Sequence, residues 1–401
     1  MESGELEVRV LSEQGFLPIE NATVNIGFTG EPGVFESVVT DDTGRTPRVE
    51  LEAPPIEYSM EPGINQPYSE YTANIIVDGY EEMSISGISI MPEQTSILEV
   101  YLRKQENIVI SANTLYGNYP SKIPEDEVKP INPQGEIVLD KVVIPETIIV
   151  HDGAPDDSTA KNYYVKYKDY IKNVASSEIY ATWPDATLRA NVLAIMSFTL
   201  NRVYTEWYRA RQKNFTITSS TAYDHKWIYG RNIYENISLI VDEIFDNYLS
   251  KPDVKQPILT QYCDGRKVSC PRWMSQWGSK YLGDQGYTAT QILKNYYGDD
   301  IYINRAVEIQ GVPSSWPGSS LTIGSSGQNV RTIQEQLNRI AKAFPKIPVL
   351  VPDGKYGEKS AEAVKTFQEV FNLPQTGVVD YKTWYKISEI FVSVSKIAEL
   401  V

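Results

Sequence analysis

Over the first hundred residues, apolar and polar side chains alternate in short runs: Glu5 to Leu11, Ala22 to Phe28, Tyr71 to Val77 and Ser96 to Leu102, divided by clusters of Gly, Asp and Pro. A period of two turns one face to a core and the other to water, so the pattern predicts an antiparallel, all-β sandwich over residues 1–103. Residues 104–140 lose the alternation. Pro120, Pro124, Pro130 and Pro133 are set among Glu125-Asp-Glu127, a composition that predicts an extended, accessible linker, open to proteases. Beyond residue 160 the period becomes helical. Ile171, Val174 and Glu178 share one face of a helix over 169–180, and Thr182-Trp-Pro-Asp185 predicts the next helix start, with the Thr182 hydroxyl as N-cap. Leu188, Val192, Ile195, Phe198 and Thr199 form the stripe of that second helix. Near the C-terminus, Val330, Ile333, Gln334, Leu337 and Ile340 align on one face, as do Val364, Phe367, Gln368 and Phe371, with Asp353-Gly-Lys-Tyr-Gly357 as the loop between them. A small three-helix module over 318–395 follows, and the whole reads as a multidomain α+β protein.

Charge sharpens this division. The 401 residues carry a net charge of -15, but residues 1–140 hold 25 Asp+Glu against 7 Lys+Arg, leaving a slight positive excess for the rest. All seven Trp lie beyond residue 182. Such a body lacks the clustered positive charge that nucleic acids or anionic membranes require, and no run approaches the length of a membrane helix. The first residues also lack the basic start and apolar run of a secretory signal. Cys263 and Cys270 are too far apart for a Cys-x-x-Cys knuckle; a local disulfide or two free thiols is the plain reading, a metal site involving His225 the lesser one, and no cofactor is predicted.

Glu178 is the sharpest chemical signal, because it stands where an apolar residue of the helix face belongs. A partly desolvated carboxyl holds its proton toward neutral pH and can give it to a leaving oxygen. The alternative is structural: Glu178 pairs with Arg189 or Arg202 of the following helix.

Two separated motifs extend the reading. Asp169-Tyr-Ile171, Val174, Glu178, Trp183-Pro184, Ala186 and Leu188-Arg-Ala190 come first. Met274-Ser-Gln-Trp-Gly278, Gln285-Gly286 and Gln291-Ile-Leu293 to Tyr296-Tyr-Gly298 follow. Residues 141–310 thereby resemble the stage II sporulation protein D family. That resemblance implies a lytic transglycosylase that cleaves the bond between N-acetylmuramic acid and N-acetylglucosamine, with Glu178 as acid and then base. It also implies that Ser275 and Gln276 orient substrate, unless they merely build a turn. Tyr223-Asp-His-Lys-Trp-Ile-Tyr-Gly230 is similar to a polar-aromatic region of that family. It makes Tyr223, Asp224 and His225 sugar-binding candidates with Arg189, while core packing accounts equally well for Trp227 and Tyr229. The family's zinc region of Cys and His has no counterpart around Gln261 to Cys270, so no metal is expected. Gly324-x-x-Gly327, Asp353-Gly-x-Tyr-Gly357, Ala363-Val-x-x-Phe-Gln368, Gly377-x-Val-Asp380 and Thr383-Trp384 resemble the peptidoglycan-binding domain of bacterial wall hydrolases. Gln334, Asp353 and Tyr356 are candidates there for ligand contact.

The front, with Gly15 to Val24, Thr40-Asp-Asp-Thr-Gly44 and Tyr71 through Asp78-Gly-Tyr80 in that order, resembles the transthyretin-like or carboxypeptidase-regulatory-like sandwich. The domain order resembles that of clostridial spore-cortex-lytic enzymes. It implies a pro-enzyme located in the spore cortex or cell wall, acting on cortex glycan strands and activated by a subtilisin-like germination protease that cuts near residues 135–150. A non-catalytic amidase enhancer or wall scaffold, or a muramidase-type hydrolase, are the competing readings. A front sandwich that targets rather than masks is a further one.

Overall fold

The computed structural model describes residues 2–13, 17–103, 108–111, 122–127, 129, 142, 144–145, 147–205, 207–208, 211, 213, 215–268, 270, 273–306, 320–380, 383–384, 386–387, 390–391 and 394. The front consists of β1 (Glu2–Ser12), β2 (Thr23–Phe28), β3 (Glu36–Val39), β4 (Val49–Ala53), a one-turn helix α1 (Glu57–Met60), β5 (Ser69–Ile76), β6 (Met83–Ile90), β7 (Thr95–Leu102) and β8 (Ile108–Ser111). Leu6, Val8 and Val10 of β1 meet Val24, Ile26, Tyr71, Ile75, Leu98 and Val100 in one buried cluster, as the alternating pattern requires. The pairing is not wholly antiparallel. β1 runs parallel to β7, with Leu6 opposite Ser96 and Val10 opposite Val100, and β6 runs parallel to β8. Parallel neighbours need a long crossover, and here the first and seventh strands are joined by the whole sandwich, so local periodicity does not reveal the pairing.

The central body contains β9 (Thr147–His151), β10 (Asn162–Lys166), α2 (Tyr167–Glu178), α3 (Asp185–Tyr204), β11 (Ile217–Thr218), β12 (Ile233–Tyr234), α4 (Glu235–Ile244), β13 (Asn247–Ser250), β14 (Tyr262–Cys263), β15 (Met274–Ser275), α5 (Gln276–Asp284), α6 (Ala289–Tyr297) and β16 (Tyr302–Arg305). Its hub is α3, in which every residue except Asp185, Ala186 and Arg189 is buried. Polar groups on this helix are matched inside the core: Asn191 Nδ2 donates to Ser279 Oγ (2.9 Å) and Asn201 Nδ2 to the Pro257 carbonyl (2.7 Å). The expected cap is different. Pro184 occupies the N-cap position, and the Thr182 hydroxyl bonds Ser59 Oγ of the front domain instead (2.7 Å).

The C-terminal part holds α7 (Gln328–Ala341), α8 (Glu358–Val370) and further helical residues between Thr383 and Val394, around Leu337, Phe367 and the fully buried Trp384.

The front is tied to the body by more than the chain. β12 adds to the edge of β7, giving a four-stranded sheet of order β12-β7-β1-β4. Asn232 Oδ1 accepts from the Ser89 N–H (3.1 Å), Trp183 Nε1 donates to the Ser59 carbonyl (2.8 Å), and Tyr68 and Met91 join the apolar cluster of the body. On the other side, Asn372 bonds Glu7, and the Arg45 guanidinium lies 5.0 Å from the centre of the Phe371 ring. A chain nicked between residues 130 and 146 is therefore expected to run as one particle in size-exclusion chromatography, separating only in denaturant. Separation in native buffer would show that these contacts do not hold the front.

Candidate functional site

α2 ends at Glu178 because Ile179 turns extended (φ -129°, ψ 154°), which carries the chain away and leaves the carboxyl at the helix end. The loop that faces it is fixed by Asn173, whose side chain donates to the Ile228 carbonyl (2.7 Å) and accepts from the Ile228 N–H (3.0 Å). That clamp brings the Lys226 N–H to Glu178 Oε1 at 2.6 Å. Gln276 Nε2 donates to Oε2 at 3.3 Å. Neither arginine offered as a structural partner pairs with Glu178. Arg189 bonds Asp185 (2.6 Å) and Glu243 (2.7 Å), and Arg202 bonds Asp224 and Glu125.

Glu178 reaches the surface only in part. Burial pushes its carboxyl above the ordinary carboxylate value, against the opposing pull of the Lys122 ammonium and of the hydrogen bonds donated to it. The Tyr262 hydroxyl is a further neighbour, and among the described residues it completes no hydrogen bond. His225 is fully buried with its ring 4.4 Å from that of Phe198 and stacked on Tyr262 at 5.7 Å, and its Nδ1 meets the Tyr170 hydroxyl at 3.1 Å. Burial first, then Lys122 and Arg202, hold its pKa well below that of a free imidazole, so His225 is neutral at physiological pH.

Asp224 is also fully buried, and its carboxylate is engaged on both oxygens. Arg202 Nε donates to Oδ1 (2.7 Å), while the Tyr208 hydroxyl (2.7 Å) and the Thr218 hydroxyl and N–H (2.7 and 2.9 Å) donate to Oδ2. Asp224 and His225 thus organise the wall behind Glu178, whereas Tyr223 stays partly exposed beside them.

Lys122 lies in the segment expected to be an accessible linker. Of that segment, residues 108–111 form β8 beside β6 of the front, and residues 122–127 and 129 are bound to the body. The Ile123 N–H donates to the Ala222 carbonyl (2.6 Å), and Gln261 brackets the strap by accepting from the Glu125 N–H (2.9 Å) and donating to the Ile123 carbonyl (2.8 Å). Glu125 then forms a two-pronged bond with Arg202, at 2.6 and 2.9 Å. Lys122 is buried with its ammonium 4.4 Å from the Tyr262 ring centre and 4.9 Å from that of Phe198. Among the described residues its Nζ has no hydrogen-bond partner, and burial depresses its pKa although Glu178 and Asp224 pull the other way. Composition made this stretch look solvated because its anchors, Arg202 and Gln261, are far away in sequence. Much of the remaining linker lies outside the described residues, as do 135–141, 143 and 146 of the expected cleavage region.

Ser275 is the N-cap of α5: its Oγ accepts from the Gly278 N–H at 2.9 Å. Gly265, at φ +77°, closes over it so tightly that an added Cβ would fall 1.9 Å from Ser275 Oγ. Ser275→Ala is expected to cost about 1 kcal/mol of stability, read as a lower thermal midpoint; an unchanged midpoint would remove the cap from the account. The loop carrying Gly265 is closed by a Cys263–Cys270 disulfide.

In the C-terminal module, Gln334 and Tyr356 are buried and hold loops. Gln334 bonds Asp353 (3.0 Å) and the Gly354 N–H (2.9 Å), and the Tyr356 hydroxyl donates to the Gly377 carbonyl (2.9 Å). Asp353 is the exposed member of the three.

Residues 326–387 match the family described as a putative peptidoglycan binding domain, which supports a cell-wall-related protein. No curated protein matches the chain. Among solved structures, similarity extends to the Bacillus anthracis TIE protein (17% identity, 26% of this chain, 17% of that one, TM-score 0.18). It also extends to Klebsiella pneumoniae 5-hydroxyisourate hydrolase (15%, 25% and 99%, TM-score 0.16). Catechol 1,2-dioxygenase from Acinetobacter sp. ADP1 is a third (13%, 27% and 58%, TM-score 0.19). The chain spans a small part of the first of these, and likenesses at such scores carry no weight for fold or function. Among the described residues, no helix is long and apolar enough to cross a membrane.

Proposed function

We propose that the chain is a peptidoglycan lytic transglycosylase of the stage II sporulation protein D type, with Glu178 as its single acid and base. The observation that supports this reading best is the setting of Glu178: a carboxyl at a helix end, raised by burial and fixed by the Lys226 N–H and Gln276. A peptidoglycan-binding domain on the same chain supplies the polymer.

The chemistry needs one carboxyl group. Protonated Glu178 gives its proton to the glycosidic oxygen as the C1–O bond of the muramic residue breaks and N-acetylglucosamine leaves as the alcohol. The resulting carboxylate takes the proton from the C6 hydroxyl of that same muramic residue, and the C6 oxygen closes on C1 to give a 1,6-anhydro end. Glu178 is again protonated. An intramolecular hydroxyl has a high effective molarity, so no second carboxylate is needed to activate water. A hydrolase of either stereochemistry would use a second one. Asp224, the carboxylate that sequence places in the same region, is fully engaged with Arg202, Tyr208 and Thr218.

The bound strap gives the pro-enzyme reading a physical form. Lys122 of the strap places a buried cation within electrostatic reach of Glu178, and a cut in the following stretch would free one end of the strap while the sandwich keeps its own contacts. Spore cortex is the substrate and a subtilisin-like germination protease the activator in this reading. Digesting cortex glycan with the intact and the nicked chain tests it: activity that appears on nicking supports the mask, and activity lost with the front supports a targeting role. Equal cortex lysis by a Glu178→Gln chain would favour the amidase enhancer or scaffold.

A further inference from the structure

Three aromatic side chains gather beside Glu178. Tyr180 stands two residues beyond Glu178, just past the extended Ile179 that ends α2. Trp277 directly follows Gln276, whose amide touches the other carboxylate oxygen. The Tyr180 and Trp277 rings lie 5.6 Å apart at 50°, and Trp183 meets both, at 5.2 and 5.0 Å. Their exposure differs. Trp183 is buried and its indole N–H is held by the Ser59 carbonyl, so it forms a fixed base, whereas Tyr180 and Trp277 remain partly exposed above it.

We propose that Tyr180 and Trp277 form a sugar-stacking shelf that holds one pyranose ring of the glycan strand next to the bond presented to Glu178. The inference rests on the glycan-cleaving reading of Glu178. The C–H face of a pyranose is apolar and matches the negatively polarised face of an aromatic ring, while its hydroxyl and N-acetyl rim stays wet or meets polar groups. Gln276, next to Trp277 in sequence, has its amide on Glu178 and links the shelf to the carboxyl. The helix α5 that carries Trp277 is anchored by the Ser275 cap and by Ser279, whose Oγ donates to the Gln276 carbonyl at 2.6 Å, so the ring stands on a rigid element.

The test uses full-length chain carrying Glu178→Gln, so that binding is measured without bond cleavage, and the hexamer of N-acetylglucosamine as probe. Adding Trp277→Ala is expected to weaken the hexamer's Kd about tenfold, and Trp277→Phe to hold it within about threefold, with melting curves alike. The C-terminal module is identical in all three proteins, so the difference reports the shelf. Equal affinity of the Ala variant, or no binding by the Glu178→Gln parent, would overturn the proposal. Undiminished glycan cleavage by Glu178→Gln alone would instead overturn the role of Glu178, on which the inference rests, whatever the hexamer affinities.

Discussion

A Glu178→Gln chain is expected to lose about a thousandfold of its glycan-cleaving rate, since the amide keeps the shape but can neither donate nor take the proton. The hydrogen bond from the Lys226 N–H survives on the amide oxygen, so the fold should be retained and the thermal midpoint should move little. The pH dependence carries a sign. Burial raises the Glu178 pKa, so the acid form persists above the usual carboxylate range, and the rate should fall as pH rises through that raised value. Rates that climb over the same interval would mean that Glu178 works only as a base. An unchanged rate in the Gln variant would remove it from the chemistry.

The second large effect concerns the wall behind the site. Arg202 is fully buried and joins Asp224 of the loop before Glu178's partner Lys226 to Glu125 of the strap. Burial alone would lower the guanidinium pKa, but the two carboxylates outweigh it and hold it above the ordinary value. Arg202→Met fills much of the volume and leaves the buried Asp224 carboxylate without its cation, while Glu125 keeps only Lys129. The expected loss is about 3–5 kcal/mol of stability, the cost of an uncompensated buried charge. Urea unfolding measures it. A loss below 1 kcal/mol would show that water or rearrangement satisfies Asp224, and that the strap is not held by this bond. Replacing Asp224 by Asn together with Arg202→Met should recover part of the loss, because the unpaired charge is removed with its partner.

What the sequence disclosed and what it hid follow the range of the forces involved. Strands β1, β2, β5 and β7 and helices α2 and α3 were legible because burial of one face imposes a period within the element itself. Glu178 was legible for the same reason, as a polar residue that breaks an apolar face. Contacts set by distant residues were hidden. Thr182 has the chemistry of an N-cap, yet its hydroxyl goes to Ser59, which lies 123 residues earlier. The Pro-rich stretch carries every local mark of a solvated linker, while Arg202, 77 residues beyond Glu125, fixes it to the body. Lys122 gave no signal at all, because a single lysine in a polar run normally stays in water. Asp224 and His225 stand within a polar-aromatic motif that suggests sugar contact, but the fold turns both inward. Arg189 was placed on the right helix, and only the facing Glu243 of α4 decides that it is an ion-pair residue.

The products of cortex glycan digestion test the central claim most directly. Mass spectrometry of strands cut by the nicked chain should find 1,6-anhydromuramic ends, each 18 Da lighter than the hydrolysed equivalent by the mass of one water, roughly as ring closure replaces water addition. These ends should vanish with Glu178→Gln. Reducing muramic ends in their place would contradict a single-carboxylate transglycosylase, and unbroken strands would contradict glycan cleavage altogether.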